Sequence, residues 1–335
     1  MRLTHRRPPH VLLAVTLVSA LCCSGCSSSS LNDGGGSSSA PLLVGTNVWL
    51  GYEPLYLARN LELFDPASIR LVEYTSASQV LRAFRNNTIS VAALTLDEVL
   101  LLKELGHELK VILVTDVSHG ADVILGQAEI QTLGDLQGRS IGVENSALGA
   151  FVLARALEMA KLSTSDVDIV PLEVDEHESA FTAGTVDAVV TFEPVRSRLL
   201  AKGAVQLFDS TEIPGEIVDV LVVREDVLDK RSDEVANLLK GWFRGLRYLD
   251  EHPMDASERM ADRMGLSPED VLAAYQGVRL PSMKDNISML DGEHAELIST
   301  AGRLAKVMKQ QKLLQYDLDV SDLFSAELIK GVQSP

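Results

Sequence analysis

The sequence predicts an α/β protein of two similar lobes. Strand and helix patterns alternate from Pro41 onward, the alternation restarts near Leu133, and a short internal repeat links the two runs. Such alternation implies a mainly parallel sheet covered by helices.

In the first run, residues 42–49 read as a strand and 54–63 as a short helix with apolar Leu55, Leu57, Ala58 and Leu61. A strand over 69–74, a helix over 78–85, a buried strand over 89–94 and a helix over 97–105 follow, then strands over 109–114 and 122–125. The second run begins with a short helix and turn at 133–138. It continues with a strand at 140–144, a helix at 149–161, a strand at 168–172, a helix at 176–182 and a strand at 186–190. Strands at 205–208 and 218–223 end the series, and only helical patterns remain beyond Val223. There Val235, Leu238, Leu239, Trp242, Phe243, Leu246 and Leu249 fall at helical spacing, and Ser267-Pro268 opens a further helix as cap and first-turn proline.

The repeat pairs residues 84–98 with 181–194, with one residue skipped. Each copy reads as a helix end, a tight turn, a buried strand, then threonine and an acidic residue at the strand's carboxyl end. Thr95 and Thr191 therefore belong at equivalent places on opposite walls of a cleft. Ligands of open α/β sheets sit outside the carboxyl ends of strands, near helix N-termini. Two such walls suit closure on a small molecule by hinge bending.

Composition narrows the partners. The 335 residues carry 30 Lys+Arg against 47 Asp+Glu, a net charge of −17, with 46% hydrophobic and 23% charged residues. That is an ordinary globular composition, and its acidity argues against nucleic acid and against basic docking on anionic lipid. No apolar run reaches the roughly 18–20 residues of a spanning helix, which argues against an integral transporter.

The chain opens with Arg2, Arg6 and Arg7 and an apolar run over 11–21, the proportions of a signal peptide. Cys23-Ser24-Gly25-Cys26 then looks like a bacterial lipobox, with Cys23 where leucine is usual. Residues 1–25 are expected to be cleaved and Cys26 to carry lipid, palmitate included; an ordinary secretory signal is the plainer reading. Residues 26–41, rich in Ser and Gly, form a flexible tether spanning about 20 Å. The three cysteines, Cys22, Cys23 and Cys26, all fall at this end, so the body has neither a disulfide nor a free thiol.

Trp49-Leu-Gly51-Tyr52-Glu-Pro54-Leu-Tyr-Leu-Ala58 with Leu63-Phe64 resembles the opening of the nitrate/sulfonate/taurine class of transporter substrate-binding proteins, the group with thiamine-precursor-like domains. Asp135-Leu136-Gln-Gly138-Arg-Ser-Ile141-Gly142-Val143 resembles the start of its second lobe, and Gly184-Thr-Val-Asp187-Ala-Val-Val-Thr191-Phe-Glu193-Pro194 its strand end. The likeness covers about residues 42–260. It implies a type II periplasmic-binding-protein fold: two Rossmann-like lobes joined by two hinge crossings near Leu125 and Asp219. Lobe one takes residues 42–125 and 219–335, lobe two 126–218. It also implies an ABC permease and ATPase as partners, a monomer at the periplasmic face of a bacterial membrane, and no cofactor.

The candidate ligand residues are Trp49, Tyr52, Ser76, Thr95, Glu98, Ser118, Asn145, Ser146, Thr191, Glu193 and Asp219. Trp49 can stack on a ligand or belong to the core, and Gly51 allows close backbone approach. Ser76 and Ser78 can serve an oxyanion or simply cap a helix, and Asp97 can face a ligand or be only a cap. Ser118 reads as a loop residue. Asn145 and Ser146 precede the helix near Gly149, Glu193-Pro194 opens another, and Asp219 lies on the return strand among apolar neighbours. A sulfonate prefers an arginine clamp, for which Arg196 is the leading nearby candidate. The acidic rim suits an amine, another cation or a neutral hydrogen-bond donor instead.

Two other functions compete. A tethered binding protein can present its closed form to a membrane receptor or kinase. Relatives of the class that make a thiamine pyrimidine rely on a cysteine-rich segment, which this body lacks. His107, His119, His177, His252 and His294 lack metal-ligand spacing, and no HExxH, GxSxG, P-loop or CxxC motif occurs.

Overall fold

The computed structural model describes residues 40–292 and 296–332. The expected signal peptide, Cys26 and all but the end of the tether lie outside them. The strands are β1 (Leu42–Thr46), β2 (Ile69–Glu73), β3 (Val91–Thr95), β4 (Leu109–Ser118), β5 (Asp122–Gly126), β6 (Ser140–Val143), β7 (Asp168–Pro171), β8 (Ala188–Phe192), β9 (Val205–Asp209), β10 (Val218–Arg224) and β11 (Val278–Arg279). The helices are α1 (Glu53–Asn60), α2 (Ala77–Arg85), α3 (Leu96–Glu104), α4 (Ala147–Met159), α5 (Val174–Thr182), α6 (Val195–Leu200), α7 (Glu225–Lys230), α8 (Ser232–Glu251), α9 (Pro253–Met264), α10 (Pro268–Ala274), α11 (Met283–Leu290), α12 (Glu296–Gln310) and α13 (Glu327–Gly331).

The strands form two sheets, in the orders β11-β4-β10-β3-β1-β2 and β7-β6-β8-β5-β9. In the first, β1 pairs in parallel with β2 and β3, and β10 runs antiparallel between β3 and β4. In the second, β6 pairs in parallel with β7 and β8, and β5 runs antiparallel between β8 and β9. Three parallel strands followed by an antiparallel one thus occur twice. The sheets are mixed rather than mainly parallel, because β5 and β10 each enter a sheet from the other one.

The repeat is visible in the backbone. Asn87, at φ 57°, and Gly184, at φ 68°, end α2 and α5 in left-handed turns. Thr88 N–H donates to Ala83 O and Thr185 N–H to Ala180 O, both at 2.9 Å. These are the long-range bonds of a Schellman-type helix end, and each turn leads into a central strand, β3 or β8.

Three expectations need correction. The first crossing lies between β4 and β5, not near Leu125, so Asp122 belongs to the second sheet. Residues 115–118 continue β4 instead of forming a loop. A two-residue strand, β11, also follows Val223, on the outer edge of β4. The second crossing, between β9 and β10, ends at Ile217, two residues before Asp219.

One apolar core runs through both sheets, with Leu94, Val114, Val220, Ile124 and Val189 fully buried. A second cluster packs α1 against α9 and α10 through Leu50, Leu57, Met260 and Val271. Arg263 of α9 reinforces that contact. Its guanidinium pairs with buried Glu53 and, at 2.7 Å, with Glu73, and lies 3.5 Å from the Tyr56 ring centroid. This pins α1, and with it the turn that carries Trp49 and Tyr52.

On the outer edge of β4, the short β11 pairs only with Val117 and Ser118 and leaves Val114 uncovered. Asn286 of α11 answers at Val114: its Oδ1 accepts the Val114 N–H at 2.7 Å and its Nδ2 donates to Val114 O at 3.1 Å. A buried side-chain amide thus completes the strand's edge, as buried backbone groups require.

Candidate functional site

The carboxyl ends of β1, β3 and β8 and the starts of β5 and β10 converge between the sheets. They enclose a cavity of about 20 Å³, room for about one water molecule. The first sheet and its helices contribute Asn47, Trp49, Tyr52, Ala77, Thr95, Glu98 and Asp219; the second contributes Asp122, Leu148 and Phe192. Trp49 and Phe192 meet across the gap edge to face, with ring centroids 5.5 Å apart. Phe192 ends the buried strand β8, and Trp49 stands just beyond β1, so the local fold carries an aromatic to each wall.

Hydrogen bonds fix the polar groups. Tyr52 donates its hydroxyl to Asp219 Oδ1 at 2.5 Å, and Trp49 Nε1 donates to Asp116 Oδ2 at 3.0 Å. Gly51 serves the second contact, since a Cβ there would stand 1.7 Å from Asp116 Oδ2. Thr95 N–H donates to Glu98 Oε2 at 3.2 Å, closing the first turn of α3. At the start of α2, Ser78 N–H donates to Glu144 Oε1 of the second lobe at 2.8 Å, and Ser78 Oγ to Glu173 Oε2 at 3.2 Å.

The remaining oxygens are not answered. Glu98 Oε1, Asp116 Oδ1, Asp122 Oδ2, Asp219 Oδ2 and Thr95 Oγ1 are buried without a hydrogen-bond partner. Burial pushes the Asp116, Asp122 and Glu144 carboxyls up to about 7. Burial, then the neighbouring Asp116 charge, raises Asp219 well above the carboxylate range; burial, then Asp97 and Glu144, does the same for Glu98. Among the described residues no lysine, arginine or histidine lines the cavity. Among the described residues no three His, Cys, Asp or Glu side chains are grouped to hold a metal ion.

Of the residues singled out in sequence, Trp49, Tyr52, Thr95, Glu98 and Asp219 meet at this cavity. Thr191 lines the adjoining cavity, which shares Asp122, Leu148 and Phe192 with the first, and its hydroxyl lies 3.1 Å from His177 Nδ1. Ser146 lines that adjoining cavity too while capping α4, and the other four stand apart. Ser76 caps α2. Asn145 is exposed beside a groove near α12. Ser118 meets Ser210 Oγ at 2.7 Å and ties the two crossings together. Glu193 turns into its own lobe, accepting from Arg196 Nη1 and from Ser197 Oγ, both at 3.0 Å. Arg196 is thereby committed to Glu193. Asn47, Asp116, Asp122, Leu148 and Phe192 were not among the candidates; acidic residues flanking Gly120-Ala121 were the available signal.

Two α/β sheets joined by two crossings, with a cavity at their strand ends, define a two-lobed binding protein of the type II periplasmic fold. The model of the NMT1-like family matches residues 35–265, and the chain belongs to that family. It is 22% identical over 282 residues to a protein of Escherichia coli (strain K12) named as an aliphatic sulfonates-binding protein, covering 81% of this chain and 86% of the relative. Among solved structures it is similar to the alkanesulfonate-binding protein SsuA from Xanthomonas axonopodis pv. citri bound to MOPS, with TM-score 0.71, 21% identity, and 84% and 96% of the two chains covered. A ligand-binding component of an ABC-type import system from Staphylococcus aureus superposes with TM-score 0.74 at 14% identity, covering 89% of this chain and 100% of its own. The desulfurization enzyme DszB shares the fold, with TM-score 0.64, 17% identity, and 87% and 98% covered.

Proposed function

We propose that this protein is the solute-binding component of an ABC importer and closes its two lobes around one small polar organic molecule. One observation carries the reading: a cavity takes its walls from both sheets, with Trp49 facing Phe192 across it. Ser78 bonded to Glu144 joins the same two lobes beside it. A cavity of that size demands opening before entry. The crossings at residues 119–121 and 210–217, fastened by Ser118 and Ser210, are the hinge. Trp49, Tyr52, Thr95, Glu98 and Asp219 are the ligand residues, joined by Asp122 and Phe192. The matched family, the binding-protein names of the relatives and the absence of cysteine from the described residues all favour binding over catalysis. Lipid at Cys26 and the Ser/Gly tether hold the body at the outer face of the membrane, within reach of a permease and its ATPase.

Tryptophan emission tests the cleft. The sequence has two tryptophans, Trp49 at the cavity and fully buried Trp242. A solute that raises the melting temperature is expected to shift the emission, and Trp49→Phe to remove the shift. A stabilising solute that leaves Trp49 unaffected sinks the reading. For the anchor, radiolabelled palmitate is expected on the full chain expressed in a bacterium and absent from Cys26→Ser.

A further inference from the structure

We infer that the cleft selects a small organic cation, an ammonium or amidinium group joined to an apolar part, and that Glu144 bars anions from it. This rests on the solute-binding reading above and specifies its ligand class.

The argument is a count of donors and acceptors. An anion needs donors, and the side-chain N–H and tyrosine O–H groups facing the cavity are already engaged, as is the Thr95 N–H. Tyr52 Oη donates to Asp219, Trp49 Nε1 to Asp116, and the Thr95 N–H to Glu98. Asn47 Nδ2 turns to Val48 O at 3.3 Å. The α2 N-terminus, which reaches the cavity at Ala77, would ordinarily seat an anion. Glu144 occupies that seat from the opposite lobe through the Ser78 N–H. Apart from the carboxyls themselves, only the Thr95 hydroxyl remains free among the lining side chains.

Acceptors are in surplus. Glu98, Asp122 and Asp219 line the cavity, each with one buried oxygen lacking a partner, and Asp116 adds a fourth behind Trp49. Buried, unpaired carboxylates are costly, and a ligand that brings positively charged N–H donors relieves that cost. The Trp49 and Phe192 rings on opposite walls favour the same charge through their faces and an apolar body through their area. The carboxylates are not gathered as a metal site would gather them, which favours an extended organic cation over a bare metal ion.

The test is a charge-matched panel on the full-length body: ethylammonium, benzylammonium and methylguanidinium; ethanesulfonate and benzenesulfonate; ethanol and benzyl alcohol; and calcium or magnesium alone. Melting temperature and calorimetry are the readouts. A cation of the panel is expected to stabilise the protein saturably while the sulfonates do not. The isosteric variants Asp219→Asn and Glu98→Gln, which keep the packing, are each expected to weaken its binding about tenfold or more. Glu144→Ala, with Glu144→Gln as a milder second variant, frees the α2 N–H and is expected to gain a response to ethanesulfonate. Stabilisation of the unaltered protein by a sulfonate, a neutral alcohol or a metal ion overturns the cation class and leaves the cleft reading standing. Silence across all four classes overturns both.

Discussion

Glu144 and Ser78 belong to different lobes, yet the carboxylate of the first accepts the backbone N–H of the second at 2.8 Å. The bond fills the N-terminus of α2 with a charge from the facing wall, so it latches the lobes as well as shaping specificity. Removing the carboxylate as Glu144→Ala is expected to shift the population toward open forms. Small-angle scattering should report a larger radius of gyration for the variant, and an unchanged radius would show that the other interlobe contacts, Trp49 with Phe192 and Ser78 Oγ with Glu173, suffice to hold the lobes together.

The acidic cluster gives stability an unusual pH dependence. Burial raises Asp116, Asp122 and Glu144 to about 7, far above their unfolded values. Groups so raised contribute stability that is complete below the unfolded pKa and lost as pH rises through the folded one. Asp219 faces Tyr52, Asp116, Asp122 and Glu98; Asp122 faces Ser118, Asp97 and Glu193; Glu144 faces Ser78 and Glu173; Glu98 faces Asp97 and Glu144. All of the charged neighbours are acidic. The melting temperature is therefore expected to fall between about pH 5 and pH 8, with a shallower slope in Asp219→Asn. A bound cation reverses the sign, so its affinity should rise over the same window as protons leave, which calorimetry in buffers of different ionisation enthalpy measures.

Asn286 supports the central sheet through the backbone of Val114. Asn286→Ala strands a buried N–H and weakens the partnering of a C=O, and is expected to cost about 2–4 kcal/mol. Urea unfolding checks the value, and Asn286→Asp, which sets a buried carboxylate against the Val114, Pro281 and Ser282 carbonyls, should cost at least as much.

Arg263 is the partner of buried Glu53 and packs over Tyr56. Burial raises Glu53 to about 7 even though Arg263 pulls it down. Arg263→Ala leaves that carboxyl alone in the core and is expected to destabilise by about 3–5 kcal/mol. Denaturant unfolding of Arg263→Ala with Glu53→Gln should recover part of the loss.

The order of elements was legible because each βα unit writes its own periodicity and cap, and Asn87 and Gly184 even mark the matched turns. Thr95, Glu98 and Asp219 were legible for the same reason, as polar residues at the ends of apolar strands. Asp122 was not. An apolar run such as 122–126 reads alike as the last strand of one sheet or the first of the next, and only the pairing of β5 with β8 decides between them. Ser76, Ser146 and Glu193 were ambiguous for a chemical reason: the groups that satisfy a helix N-terminus are those that would contact a ligand. Asp116 was hidden because the run past Val114 lacks strand alternation, while in the fold β10 holds it in the sheet.

The most direct measurement is a crystal structure of the protein soaked with whichever panel member stabilises it. Ligand density bounded by Trp49, Asp219, Asp122 and Phe192, with both sheets in contact, is the predicted result. Density confined to the outer groove beside Phe243 and Tyr275, with the space between the sheets unchanged, would contradict it.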